Sequence, residues 1–471
     1  MSFSPADLGP RAAVHLLNRA AFGPRPGEIS RALDKGLERW LLEQLDPGPD
    51  PELDTRLRGL GTLGYPISQV LALYDADQRS IGVILDELMT AKLIRAVHTQ
   101  NQLQEVLVDF WFNHFNIFVS EGFDRFSTSA YERDAIRPRV LGRFRDLLGA
   151  TAYHPAMLFY LDNYLNNSNR AVGGRTILGI NENYGRELLE LHTVGVDAGY
   201  TQADVIDAAR CFTGIGIDNL LVGGNMVFRA QNHDRGAKSV FGLNIAAGGL
   251  QDDADRLLDH LAQHPATARF VSLRLVQRFV ADEPPQTLVA KCADTFLRTG
   301  GELREVMKTL FGSTEFWAEA FGPGKHKTPF EFTVSALRAV DAQVTAQRAV
   351  AAALANMGMP LYGCNPPTGY SSRGGDWINP SSHLYRMNFA LDLAAGAVAG
   401  VAVDVRGVVR RAGRDPEDPS AVATTMSNEI FGRGLSAQTL GAIGRVSRSG
   451  PVSVAARAVG LCLAGPEMQV R

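Results

Sequence analysis

Apolar residues recur every three to four positions through most of this chain, and that period constrains the fold more than any other feature. It holds in segments 27–46, 140–150, 181–194, 202–212, 253–263, 265–281, 286–299, 302–311, 328–342 and 347–357, and predicts an amphipathic helix in each. Residues 80–117 read as one long helix, or as two joined near Thr99–Asn101. Ser4-Pro5-Ala6-Asp7 sets a serine before a proline and an acid, the signature of a helix start. Period-two alternation is confined to 217–245, where glycine-broken runs predict a small hairpin or meander. The expected fold class is all-α, a single large multi-helical body with a small β insertion. We expect a main body over 1–411. Residues 412–421 read as a surface linker before a last pair of short helices, the whole of 412–471 packing on that body. Residues 360–383 are a long loop rich in Gly, Pro and Ser. Its Tyr362, Tyr370, Trp377 and Ile378 predict that it is ordered and packed on something.

Composition narrows the function classes. With 45% hydrophobic residues the chain can bury a large core, and a net charge of -3 gives no pull toward nucleic acid or an anionic membrane. Cys211, Cys292, Cys364 and Cys462 are far apart, with no CxxC pair and no zinc spacing. No run reaches the roughly 18 apolar residues of a membrane span. Segment 388–403 comes nearest, but it carries Asp392 and reads as a buried helix. The first residues show neither a charged head with an apolar run nor a twin arginine, so the expected location is cytoplasmic. Lysine occurs only at positions 35, 92, 238, 291, 308, 325 and 327, which we read as compositional bias rather than function.

Four segments hold residues able to carry chemistry. In 181–192, NENYGRELLELH, a helical wheel places Glu182, Asn183, Arg186, Glu187 and Glu190 in one sector about 140° wide. Apolar residues fill the remainder, which predicts a buried helix whose acids must be paired, protonated or metal-bound. Arg186 is spaced to bridge Glu182 and Glu190, leaving Glu187 without a partner. A structural ion-pair network and an active or metal site are both open at this point. In 105–116, EVLVDFWFNHFN, the residues Glu105, Asp109 and Asn113 line one face among aromatics, with His114 near the end. A lone histidine there is more often a core residue than a ligand. His233-Asp234 supplies either two metal ligands or a base with its orienting carboxylate, against the plainer reading of a turn. The asparagines of 154–170 point first to turn chemistry. A Walker loop, a dinucleotide fingerprint, a GxSxG elbow and HExxH are absent from the sequence, so no nucleotide cofactor is expected. His192 also lies too close to Glu190 for the Glu-x-x-His spacing of a di-iron bundle.

Several segments together resemble the bacterial domain of unknown function 1800 family. They are RAAFGPRPGEI, DFWFNHFNIFV, HPAMLFYLDN, the long run NENYGRELLELHTVGVDAGYTQADVIDAARCFTG, NHDRGAKSVFG, HPATARFVSLRLVQRFVADEPP, KTPFEF and LAGPEMQ. The likeness spans nearly the whole chain. It implies that Glu182, Asn183, Arg186, Glu187, Glu190, His114, His233 and Asp234 sit at recurring motif positions, without assigning them a role. Relatives in this family often look exported, commonly with a twin-arginine signal, and many are encoded beside a protein that resembles sulfatases and phosphatases. Where the family's long loop carries Gly-Trp, this chain has Gly369-Tyr370 with Trp377 further on.

The leading expectation is a metal-dependent enzyme, oxidative or hydrolytic. Its metal ligands would come from Glu187, Glu190, His233, Asp234 and His114, and its catalytic groups from Glu187, Glu190, Arg186 and Asp234. Carboxylates with imidazoles suit iron, manganese or zinc. Two other classes stand beside it. One is a non-catalytic partner or assembly protein with a buried ion-pair network and an exposed apolar patch. The other is a polymer-binding protein that stacks its ligand on Trp377, Tyr370 and Tyr362.

Overall fold

Helices make nearly all of the core, because the three-to-four-residue period buries one stripe of each. The computed structural model describes residues 9–172, 175–447 and 449–471. The helix start at 4–7 lies outside the described residues. Residues 80–117 form two helices, Ser80–His98 and Gln102–His114, parted at the predicted junction. Segment 27–46 is also two helices, Glu28–Lys35 and Leu37–Leu45. The break falls at Gly36, whose φ of 87° lies where glycine alone is unstrained. One contiguous apolar core runs through the chain from Ala12 to Met468.

The β structure consists of antiparallel two-stranded pieces. The region 217–245 holds two hairpins rather than one, Ile215–Ile217 with Met226–Phe228 and Lys238–Val240 with Leu243–Ile245. Two further pairs were not expected, Arg170–Val172 with Arg175–Ile177 and Gln343–Val344 with Val401–Ala402. The long loop is shorter than predicted, since Pro380 begins the helix Pro380–Ala394 with Asn379 capping it. That helix is not the buried one expected near 388–403. It ends at Ala394, and Leu384, Met387 and Leu391 stand exposed on one face. Among the described residues, the chain near and beyond the linker forms four α-helices rather than two, Pro419–Met426, Ala437–Ile443, Val454–Ala464 and Pro466–Gln469, with a π turn at Ser427–Phe431. Val454–Ala464 packs on Pro380–Ala394. Gly460 permits the approach, since a Cβ there would sit 3.0 Å from Leu391 Cδ2.

Among the described residues no helix is long and apolar enough to cross a membrane. Residues 325–327 pair with 469–471, the Lys325 and Lys327 amides donating to the carbonyls of Arg471 and Gln469 at 2.9 and 2.8 Å. This short antiparallel contact brings Arg471 beside the helix Pro329–Ala339.

Candidate functional site

The segment 181–192 is half-buried rather than buried. Asn183–Glu187 is α-helical and Leu188–His192 widens into a π turn. Tyr184, Gly185, Leu188, Leu189 and His192 face inward. Gly185 lets the helix Gln202–Cys211 approach so closely that a Cβ would lie 2.8 Å from the Ala209 amide. The acidic wedge therefore faces outward. Arg186 pairs with Glu182 at 2.9 Å, with side chains 40% and 36% exposed, and also donates to Gln202. The expected second arm to Glu190 is not formed. The π turn shifts Glu190 out of the i+4 position, and it accepts from the Tyr200 hydroxyl at 3.2 Å instead. Glu187 makes no hydrogen bond or ion pair among the described residues. Burial and the neighbouring Glu190 raise its carboxyl above the usual range, with Arg186 opposing.

The other predicted ligands have partners of their own. His233 is buried, with Nδ1 2.8 Å from the Thr213 carbonyl and Nε2 3.2 Å from Asp253. Lys238 donates to the same Asp253 oxygen at 2.6 Å, so an ion pair with no side-chain exposure encloses this histidine. Asp234 accepts from Arg210 at 2.9 and 3.0 Å and from the Gly236 amide, which makes it a turn anchor. His114 is packed among Trp111, Phe115 and Phe270, with Nε2 3.2 Å from the His192 carbonyl. Burial and Arg274 hold it well below the usual histidine range, so it is a neutral core residue. Among the described residues no group of three or more His, Cys, Asp and Glu is placed to hold a metal ion. Glu187 and Glu190 thus share a face, while His233, Asp234 and His114 are each engaged elsewhere.

The polar stripe of the 102–114 helix leads to a different place. Glu105 pairs with Arg137, Asp109 pairs with Lys92 at 3.0 Å, and Asn113 grips the long loop. Asn113 accepts from the Tyr370 amide at 2.7 Å and donates to the Tyr370 carbonyl at 2.8 Å. Gly369, at φ 69°, is needed there, because a Cβ would lie 2.3 Å from the Asn113 carbonyl oxygen. Asn116 holds the carbonyls of Cys364 and Pro366, Tyr362 donates to Glu132 at 2.6 Å, and Trp377 donates to the Ser371 carbonyl. At its far end Asp282 accepts from the Gly374 amide at 3.0 Å. The loop is ordered, as expected, with Tyr362 and Trp377 buried and Tyr370 half-buried.

Beneath the loop lies a cavity of about 60 Å³. At one end the Lys92 ammonium sits over the rings of Tyr362 and Phe330, 5.0 and 5.1 Å from their centroids, beside Asp109. At the other end Arg278 and Arg471 share Glu331 at 2.7 and 3.1 Å. Among the described residues, Arg278 Nη1 and Arg471 Nε are buried without a hydrogen-bond partner. Burial works against a charged Glu331, but the two guanidiniums outweigh it and hold the carboxyl down to about 2. Glu132 behaves likewise: burial is outweighed by Arg137, Lys92 and Arg95, and its carboxyl lies at about 2.

The family's sequence profile, described as protein of unknown function (DUF1800), matches residues 15–470. The chain belongs to the DUF1800 family. No curated protein and no solved structure matches it. Three of the segments that carry the DUF1800 likeness meet at the loop-covered cavity: Asp109 and Asn113 from DFWFNHFNIFV, Arg278 from the run 264–285, and Glu331 from KTPFEF. Sequence reasoning named the 105–113 stripe but did not follow it to this site. The usable signal was three polar residues at i, i+4 spacing on an aromatic helix.

Proposed function

We propose that the loop-covered cavity is the site of an enzyme acting on a small molecule that carries an anionic group. The observation that supports this most is the pair of buried guanidinium nitrogens, Arg278 Nη1 and Arg471 Nε, left without partners at the cavity wall. An unsatisfied buried donor costs about 1–3 kcal/mol, which a bound carboxylate, phosphate or sulfate oxygen relieves. The local charge points the same way. Arg19, Arg278, Arg386, Arg471, Lys325 and Lys327 are all buried in this region. The acids coupled to them there are chiefly Glu331 and Asp282. Among the described residues, none of the three Arg19 side-chain nitrogens has a hydrogen-bond partner. The volume admits a few waters, a small ligand or the end group of a larger one. Asp109 beside Lys92 supplies a proton acceptor and donor at the opposite end.

The test is thermal stability in acetate, phosphate or sulfate, for the native chain and for Arg278→Met. We expect saturable stabilisation. At about a hundredfold excess over Kd this amounts to roughly 2.7 kcal/mol, or about 3 °C for a chain this long. It should be absent in the variant. No response to any of the three anions, or an equal response in Arg278→Met, overturns the reading.

A metal-dependent reaction centred on Glu187 and Glu190 is a second reading, favoured by the unpaired Glu187 carboxylate. Its imidazole ligands are not assembled in this geometry, so iron, manganese or zinc would need donors from outside the chain or from a rearranged site. Elemental analysis after purification without chelators tests it, and metal near zero after supplementation removes it. A partner-binding role has one observation behind it, the exposed Leu384, Met387 and Leu391 on one helix face.

A further inference from the structure

A second cavity, of about 70 Å³, shares Arg471 with the first and is lined by Lys327, Ser335, Asn18, Arg11 and Arg433. Lys327 lines it, and a second buried lysine, Lys325, stands two residues away and differs in its bonding. Lys325 Nζ has three acceptors: the carbonyls of Gln277 and Ser372, each at 2.6 Å, and the Asp282 carboxylate at 2.7 Å. Three acceptors match the three N–H groups of an ammonium, so the bonding at Lys325 favours its charged form even though burial draws it down to about 7. Lys327 Nζ has one oxygen, the Ser335 hydroxyl at 2.9 Å, and the Met468 sulfur at 3.9 Å. Among the described residues it makes no ion pair. A hydroxyl serves a neutral amine as well as an ammonium, since it can donate to the nitrogen lone pair.

Three guanidiniums near Lys327 oppose its ammonium form, while Glu331 favours it, and Glu319 also lines the cavity. Arg386 donates to the Lys327 carbonyl at 2.9 Å, and Arg471 and Arg433 lie across the cavity. His326 precedes it, and burial and Arg386 hold that imidazole neutral, at about 4. Glu331, on the following helix, is already shared by Arg278 and Arg471. Glu467 is bound to the Ser436 amide and to Thr439. Burial first, and then these guanidiniums against Glu331, draw Lys327 down to about 7. One unused polar group belongs to a residue lining the same space, the buried Asn18 Oδ1. Arg433 stands exposed at the mouth and makes no hydrogen bond or ion pair among the described residues.

We propose that Lys327 is a nucleophilic amine that condenses with the carbonyl of a small carboxylated aldehyde or ketone, the 2-oxo acid class, admitted to this second cavity. The Lys327 nitrogen lone pair forms a bond to the carbonyl carbon. The carbonyl π electrons move to oxygen, which takes a proton from the Ser335 hydroxyl, and Ser335 recovers one from the nitrogen. The carbinolamine then loses one water and leaves a carbon–nitrogen double bond, so atoms balance and no oxidant or reductant is required. Arg433 and Arg471 offer the counter-charge for the carboxylate, and Asn18 Oδ1 accepts from the carbinolamine hydroxyl.

Reductive trapping tests this on the full chain. The protein is incubated with pyruvate or glyoxylate and cyanoborohydride, and each lysine-containing peptide is mapped by mass. The chain has only seven lysines, so the assignment is clean, with exposed Lys35, Lys291 and Lys308 as internal controls. We expect saturable labelling at Lys327, at least about tenfold ahead of the three controls. Arg433→Ala, an exposed change that spares the core, should weaken trapping of glyoxylate by about tenfold and leave trapping of acetaldehyde unchanged. Label confined to the surface lysines, or found on Lys325 in place of Lys327, overturns the proposal. Equal loss of glyoxylate and acetaldehyde in Arg433→Ala overturns the carboxylate requirement. None of these readouts depends on the loop-covered cavity, so the two proposals fail separately.

Discussion

Replacing Glu331 by glutamine removes the one carboxylate that Arg278 and Arg471 share, and its cost can be worked from the site. Glu331 lies 2.7 Å from one guanidinium and 3.1 Å from the other, and also accepts from the Thr328 amide as half of a capping box. The cation-facing oxygen has no aligned hydrogen bond, so those two contacts are ionic. Its carboxyl falls from 4.5 to about 2 on folding. That drop corresponds to about 3 kcal/mol of stability at neutral pH. Breaking a buried pair by removing one partner costs about 3–5 kcal/mol, in agreement. Because the folded-state value is the lower one, the contribution is complete above about pH 4.5 and is lost as pH falls toward 2. Glu331→Gln should therefore melt roughly 3 °C below the native chain at pH 7. The gap should narrow in melts taken stepwise from pH 5 to pH 3. A gap that does not change with pH, or one under about 1 kcal/mol at pH 7, refutes the account of a charged, doubly paired Glu331.

Asn113→Ala removes both bonds to the Tyr370 backbone. It should cost about 1–3 kcal/mol, with faster hydrogen exchange at the loop amides of residues 369–372; unchanged exchange there contradicts the pinning. Arg186→Ala should shift stability by less than about 0.5 kcal/mol, because its pair with Glu182 is exposed. A loss of several kcal/mol would restore the buried network expected from the sequence.

Helix positions were legible because each helix buries one stripe, and the periodic segments from 202–212 to 347–357 all reappear as helices. The burial of 181–192 was misread for a local reason. Its wheel assumes an unbroken α-helix with the apolar arc enclosed, whereas the chain turns π after Glu187 and leaves the acidic face half-buried at the surface. His233 was read as a ligand or base against a plain turn, whereas its partner Asp253 lies on the helix Asp252–Ala262, and no spacing rule links the two. The cavities were hidden for the same reason. Lys92, Asp109, Arg278, Glu331 and Arg471 come from five distant stretches, and only packing brings them together. The one local trace was the 105–109–113 stripe, each member of which has a different partner.

The pairing of residues 325–327 with 469–471 also sets an order of events. A wall of both cavities is a side chain at position 471, while Lys92 and Asp109 are made much earlier. During synthesis, Glu331 and Arg278 must wait with only each other until the last of these residues leaves the ribosome. Closing a contact over so long a stretch of chain is a slow, late step. A nascent chain lacking 469–471 should therefore carry its helices but lack a wall of both cavities.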